Sequence, residues 1–187
     1  PIEETLRALD DLIRAGKVRY IGCSNLAAWQ VIDAHGTARL GNLNGFICAQ
    51  DEYSLLAREA EKALLPALRH AGLGLIPYYP LASGVLSGKY LPGAAYPAGS
   101  RLARGGSFSA RFGSPAQLET AAALAAWATS RGHTLLDLAF SWLLARPGVA
   151  SVIAGATTAA QVAQNAAAGE WVLSEAEVGE IEGLLRK

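Results

Sequence analysis

The chain has 187 residues, 51% of them hydrophobic and 17% charged, which is one domain's length with enough apolar content to bury a core. That composition excludes intrinsic disorder, and 16 basic against 16 acidic residues leave no excess charge for a nucleic-acid partner. Two cysteines, Cys23 and Cys48, argue against a disulfide scaffold and fit a reducing, cytoplasmic setting, and no apolar run reaches membrane-spanning length.

Residues 2–15 place Leu6, Leu9, Leu12 and Ile13 at helical spacing. Glu3 and Glu4 stand in the first turn, where the helix dipole favours acids, and Gly16 ends the pattern. Pro1 opens the chain inside this helical pattern, so the sequence reads as part of a longer protein. Residues 18–23 form a short strand that runs into Ser24 and Asn25, and a helix follows over 26–39. A strand at 46–50, a helix over 57–70 carrying Leu64, Leu65 and Leu68, and a strand at 73–79 come next. The stretch 82–114 breaks this rhythm: Gly, Ser, Pro and Ala are dense, and Lys89, Arg101, Arg104 and Arg111 are scattered through it. It is too long for a routine connection, and such loops are often functional. Helices over 115–131 and 134–146, a strand at 149–153, and a helix over 159–168 capped by Thr157 and Thr158 follow. Ser174 to Glu177 opens a closing helix as a capping box.

Short apolar strands alternating with amphipathic helices predict an α/β fold with a parallel sheet and crossover helices. No GxGxxG follows a strand, since Gly72-Leu73-Gly74 precedes one, and that moves the reading from a dinucleotide-binding sheet to a (β/α)8 barrel. Such a barrel takes roughly 250 residues and eight strands. About four strands are present, so residues 1–187 read as a single domain forming about half a barrel.

Four stretches together resemble the aldo/keto reductases. They are Tyr20-Ile21-Gly22-Cys23-Ser24-Asn25, then Gln50-Asp51-Glu52-Tyr53-Ser54-Leu55-Leu56, then Ile76-Pro77-Tyr78-Tyr79-Pro80-Leu81-Ala82-Ser83-Gly84 with Ser87-Gly88-Lys89-Tyr90, and Ile153-Ala154-Gly155-Ala156-Thr157 with Gln161, Gln164 and Asn165. Each is weak alone, and the four in this order are specific. The arrangement is similar to the family's bacterial branch and its potassium-channel β subunits, and the likeness covers the family's C-terminal, cofactor-binding half.

The resemblance implies an oxidoreductase that carries hydride from NADP(H), or from NAD(H), to a small-molecule aldehyde or ketone. The family's acid catalyst is a Tyr supported by Lys, Asp and His. No such set is found here, because His35, His70 and His133 all fall in or beside helices, so no catalytic residue is assigned and the chain alone is expected to be inactive. By resemblance, Ser24, Asn25 and Gln50 hold the nicotinamide carboxamide and Tyr78 stacks on its ring. Without the resemblance, Ser24 and Asn25 read as caps of the next helix and Tyr78 as core. Pro80, Leu81, Ala82 and Ser83 bring backbone along the pyrophosphate. Lys89 and Arg101, otherwise solvated surface charges, face phosphate, with Arg101 the candidate for the 2′-phosphate of NADP because guanidinium grips phosphate through two donors. Gly155, Thr157, Gln161, Gln164 and Asn165 fall to the adenosine end. Gln164 departs from the family's usual Glu, and no cation occurs between Pro147 and Arg186, which leaves the choice between NADP and NAD open. No metal site is expected. Two further readings stand beside the enzyme: a non-catalytic relative that binds nicotinamide cofactor or a partner, and a half-barrel that associates with itself to cover its open edges.

Overall fold

A parallel ladder needs a crossover between successive strands, and the chain supplies a helix each time. The computed structural model describes residues 1–106 and 111–186; positions 107–110 of the long loop lie outside the described residues. In chain order the elements are α1 (Ile2–Arg14), β1 (Ile21–Ser24), α2 (Ala28–Leu40), β2 (Phe46–Glu52), a 3-10 turn (Glu59–Glu61), α3 (Leu64–Ala71), β3 (Gly74–Tyr78), a 3-10 segment (Ala82–Ser87), α4 (Pro115–Thr129), α5 (Leu135–Leu144), α6 (Ala159–Ala167) and α7 (Glu175–Leu185). The strands form one parallel sheet in the order β1-β2-β3, an open part of a barrel.

The two faces of this sheet differ. Ile21, Cys23, Ala49, Leu75 and Pro77 point to one side and are buried under the helices. Gly22, Ser24 and Gln50 on the other side are exposed, and Cys48, Glu52, Gly74, Ile76 and Tyr78 are only half-buried. Helices therefore cover one face and leave the inner face bare. Glycine is required on that face at Gly22, where a Cβ would lie 2.8 Å from the Cys48 sulfur. Among the described residues, no helix is long and apolar enough to cross a membrane.

Three sequence readings are corrected. In α1, Leu6 is fully buried and Leu9 and Ile13 pack beside it, but Leu12 is exposed. Six residues beyond Leu6, at about 100° each, Leu12 has rotated off the buried stripe. The helix expected over 57–70 is broken: Ala57 pairs with Ser54 in a tight turn, residues 59–61 form a 3-10 turn, and only Leu64–Ala71 is α-helical. Pro66 sits in the first turn of α3, where a missing N–H costs nothing. The strand expected at 149–153 lies beside β3 with one parallel bridge, Leu75 to Val149, and is not a full strand. Leu75 N–H donates to Gly148 O and Ala150 N–H to Leu75 O, but the next donor from β3 is Pro77, which has no N–H. The ladder skips there and resumes only with Ile153 N–H to the Pro77 carbonyl.

A half-buried ionic cluster ties the last helix to the segment after β2. The Tyr53 hydroxyl donates to Glu61 at 2.6 Å. Arg58 donates to both Glu61 and Glu182, and so does Arg146. Both guanidinium groups lie over the Trp142 ring, 5.2 and 4.8 Å from its centre. Burial alone would raise the Glu61 carboxyl, but bonds from Arg58 and Tyr53 hold it below its ordinary value. Glu182→Gln removes the carboxylate that separates two cations. It should cost about 1–3 kcal/mol in urea unfolding at pH 7, a buried-pair cost discounted for partial hydration. Glu59→Gln, which breaks only the exposed pair with Lys62, should cost less than about 1 kcal/mol.

Candidate functional site at the strand ends

The C-terminal ends of the three strands carry a polar chain. Ser24 pairs in register with Gln50, and Glu52 with Tyr78. The Tyr78 hydroxyl donates to Asn25 Oδ1 at 2.7 Å, Asn25 Nδ2 donates to Ser24 Oγ at 2.8 Å, and Ser24 Oγ donates to the Gln50 carbonyl at 2.8 Å. The chain of donors runs across all three strands. It uses the backbone of Gln50 and leaves the exposed Gln50 carboxamide unbonded among the described residues. Asn25 sits at φ 57°, a left-handed conformation that asparagine tolerates better than most side chains.

Ser24 and Asn25 are therefore not helix caps. The N-cap of α2 is Ala27, whose N–H donates to Gln30 Oε1 at 2.8 Å. The strand ends belong to the inner face, and α2 closes its own end.

After β3 the backbone turns through Tyr79, Ala82, Ser83 and Gly84, all with positive φ. Left-handed residues other than glycine cost free energy, and they cluster at functional sites. Pro80, Ala82 and Ser83 are buried, Leu81 is half-buried, and the Ser83 hydroxyl is buried with no hydrogen-bond partner. Tyr79 meets Tyr78 edge-on at 5.2 Å. Lys89 folds back over Gly84, where a Cβ would come within 3.0 Å of the ammonium nitrogen. Arg101 is exposed, and no carboxylate pairs with it among the described residues. The groups available for a ligand here are the free Gln50 amide and the cations Lys89 and Arg101, while the Ser83 hydroxyl is a buried orphan.

The segment 153–165 is tied to this end of the sheet through Ile153 N–H and the Pro77 carbonyl. Thr158 caps α6 by accepting from Gln161 N–H. Thr157 donates both its N–H and its hydroxyl to Gln161 Oε1, so the Gln161 oxygen is already engaged in fixing the helix start. Gly155 and Gln164 are exposed and Asn165 is half-buried. No residue of α6 is buried.

Asp51 was not singled out from the sequence. It follows Gln50 and points to the helix side of β2. Its Oδ2 is buried without a partner, and burial pushes its carboxyl up to about 6 against the opposing pull of the Asn25 backbone N–H. Glu52 beside it is paired with Arg111. Asp51, Glu52, Tyr78 and Arg111 share the wall of an open cleft of about 640 Å³. The signal available was an acidic residue at a position whose alternation with Ala49 turns it toward the helix-covered side of β2. Among the described residues, no group of three or more His, Cys, Asp or Glu side chains is placed to hold a metal ion.

The sequence profile of the aldo/keto reductase family matches residues 1–186. This chain belongs to the aldo/keto reductase family. Members of the family bind nicotinamide cofactors. Among its relatives, the Arabidopsis thaliana protein named "Probable voltage-gated potassium channel subunit beta" is 40% identical over 168 residues, covering 88% of this chain and 51% of that protein. A similarly named protein of Oryza sativa subsp. japonica is 39% identical over 168 residues, with the same coverage. The Bacillus subtilis protein "Uncharacterized oxidoreductase YrpG" is 36% identical over 162 residues, covering 87% of this chain and 47% of that protein. The chain spans about half the length of the curated relatives it matches.

Asp51 generates a prediction with a definite sign. Its carboxyl is raised in the folded state, so its contribution to stability is fully present below the ordinary value of 3.8 and is lost as pH rises through about 6. Asp51→Asn should therefore stabilise the protein at pH 8 by about 1–2 kcal/mol, a value reduced from the bare shift because the side chain stays partly hydrated. In urea unfolding the gain should shrink as pH falls and be absent by pH 4.

Proposed function

We propose that this chain forms the nicotinamide-cofactor-binding half of an oxidoreductase that transfers hydride to an aldehyde or ketone. The observation that carries the reading is the polar chain Tyr78–Asn25–Ser24 across the strand ends, beside a free Gln50 carboxamide and a left-handed turn with a buried orphan hydroxyl. When bound, the cofactor supplies the hydride. Ser24, Asn25 and Gln50 orient its carboxamide and so select which ring face looks into the open side of the sheet. Tyr78 packs against the ring while its hydroxyl stays on Asn25. Pro80 to Ser83 and Lys89 meet the diphosphate, Arg101 meets a 2′-phosphate, and Gly155, Thr157, Gln161, Gln164 and Asn165 flank the adenosine. Gln161 contributes there through its amide nitrogen, since its oxygen is already bonded by Thr157. The acid catalyst and the remaining substrate wall come from outside these residues. The identity with proteins named as channel β subunits supports a second reading, a nicotinamide-binding partner module. NADPH consumption by the full-length gene product with a reactive aldehyde separates the two: steady turnover favours the enzyme, and tight NADPH binding without turnover favours the module.

The bare inner face bears on the isolated 187-residue chain. Positioned acid catalysis is worth roughly 10²–10⁴-fold, so the isolated chain should not reduce aldehydes at a measurable rate. Its open sheet edge and exposed apolar side chains such as Tyr20 and Ile47 should drive it into dimers or larger species, read by light scattering. A monomer with clear turnover contradicts both expectations.

Arg101 tests the cofactor assignment. In the full-length protein, Arg101→Ala should weaken NADPH and leave NADH nearly unchanged. One charge-assisted contact is worth roughly 1.5–3 kcal/mol, on the order of 10- to 100-fold in affinity. Ordering a glycine-rich loop offsets part of that, so the loss should fall at the lower end. Fluorescence titration with both nucleotides decides it, and equal losses would mean that Arg101 supports the loop instead.

A further inference from the structure

The long loop after β3 is wound around one buried side chain, Tyr90. Its ring is 3% exposed. Tyr96 meets it edge-on at 5.6 Å, and the Tyr96 hydroxyl donates to the Gly113 carbonyl at 3.2 Å. On the other side the Lys89 ammonium lies 5.1 Å from the ring centre. The Tyr90 hydroxyl accepts the Leu102 N–H at 3.3 Å, and the Leu102 side chain is buried beside it. Bonds from Ser100 and Leu102, with the nearby Lys89 charge, outweigh burial and hold the phenol below its ordinary value.

Arg101 stands between Ser100 and Leu102. The turns around it are local: Ser100 N–H to Pro97 O, Arg104 N–H to Ser100 O, and Gly105 N–H to Leu102 O. Such turns set a shape but do not place it on the protein. Placement comes from Leu102, the next residue after Arg101, whose N–H donates to the phenol oxygen and whose side chain is buried beside it. The same ring faces Lys89, so one residue reaches both Lys89 and the segment that carries Arg101.

We propose that Tyr90 is a positioning residue whose hydroxyl fixes Arg101 and thereby sets the preference for a nucleotide carrying a 2′-phosphate; this rests on the reading of Arg101 given above. An arginine on an untethered glycine-rich loop loses conformational freedom when it grips phosphate, and a loop already tethered loses less. Tyr90→Phe removes only the tether. The ring, its contact with Tyr96 and its face toward Lys89 all remain.

The test uses the full-length protein as wild type, Tyr90→Phe, Arg101→Ala and the double variant, each titrated with NADPH and NADH. Tyr90→Phe should weaken NADPH roughly 3- to 10-fold, the range of one neutral hydrogen bond. NADH should stay within about twofold, and a purely structural role would not split the two nucleotides in this way. In the Arg101→Ala background, Tyr90→Phe should cause no further loss. Hydrogen exchange at the Leu102 amide should quicken in Tyr90→Phe. A discriminating Arg101→Ala beside a Tyr90→Phe with unchanged NADPH affinity overturns the proposal alone, as do equal losses of both nucleotides or additive losses in the double variant. An Arg101→Ala that loses both nucleotides equally overturns the reading of Arg101 and the proposal with it.

Discussion

Two parallel strands cannot be joined by a tight turn, and every feature of this chain follows from that constraint. Each strand must be followed by a segment long enough to return to the starting edge, and a helix does this while hydrogen-bonding its own backbone. Right-handed crossovers put the helices on one side. The strands then all end at the same edge, and so Ser24, Gln50 and Tyr78 arrive together although the chain between them is long. The buried side of the sheet belongs to Ile21, Cys23, Ala49 and Leu75, and the functional groups have only the other side to occupy.

At that edge the polar groups are arranged in series. The Tyr78 hydroxyl donates a hydrogen bond to Asn25 Oδ1, Asn25 Nδ2 donates to Ser24 Oγ, and the Ser24 hydroxyl donates to the Gln50 carbonyl. Each side chain is held by the next, so the three are pre-ordered, and ordering before binding is what lets a site spend little on fixing rotamers. Asn25 accepts a left-handed backbone to take its place in the row. The strained run from Tyr79 to Gly84 continues the pattern, because backbone conformations of this kind persist only where surrounding packing over-determines them. Here Ala82, Val85 and Leu86 are all fully buried and provide that packing.

Strand and helix order was legible because it rests on periodicity, which a single sequence displays. What escaped depended on partners far away in the chain. Ser24 and Asn25 look like caps to local reasoning, and only Tyr78, 53 positions on from Asn25, shows what Asn25 is for. The helix read over 57–70 had the right leucines, but Arg58 and Glu61 are claimed by Glu182 and Arg146. The strand at 149–153 had the right composition, and the obstacle to it was a missing N–H on its neighbour, at Pro77. Asp51 and Tyr90 lie within the stretches that carry the resemblance, but nothing in those stretches marks either residue by itself. One is notable for burial and the other for what its hydroxyl touches, and neither property is written in local sequence.

The energetics explain why half a barrel is laid out this way. The main apolar core runs through Leu65, Leu75, Val85, Leu124, Leu138 and Trp142, residues of the helices and of the covered sheet face, and it takes none of Gly22, Ser24, Cys48, Gln50 or Gly74 from the inner face. The ionic cluster around Trp142 is also on the outside, where Glu182 of α7 reaches Arg58 after β2. Folding free energy is thus gathered on one side of the sheet, and the polar chain at the strand ends lies on the other. A site built this way tolerates polar, unpaired and strained groups, such as the Gln50 amide, the Ser83 hydroxyl and the left-handed turn, because the core that holds the turn through Ala82, Val85 and Leu86 offsets their cost. It also means that changes to the outer layer act on the core, whereas changes at Ser24 or Gln50 on the inner face leave that core intact.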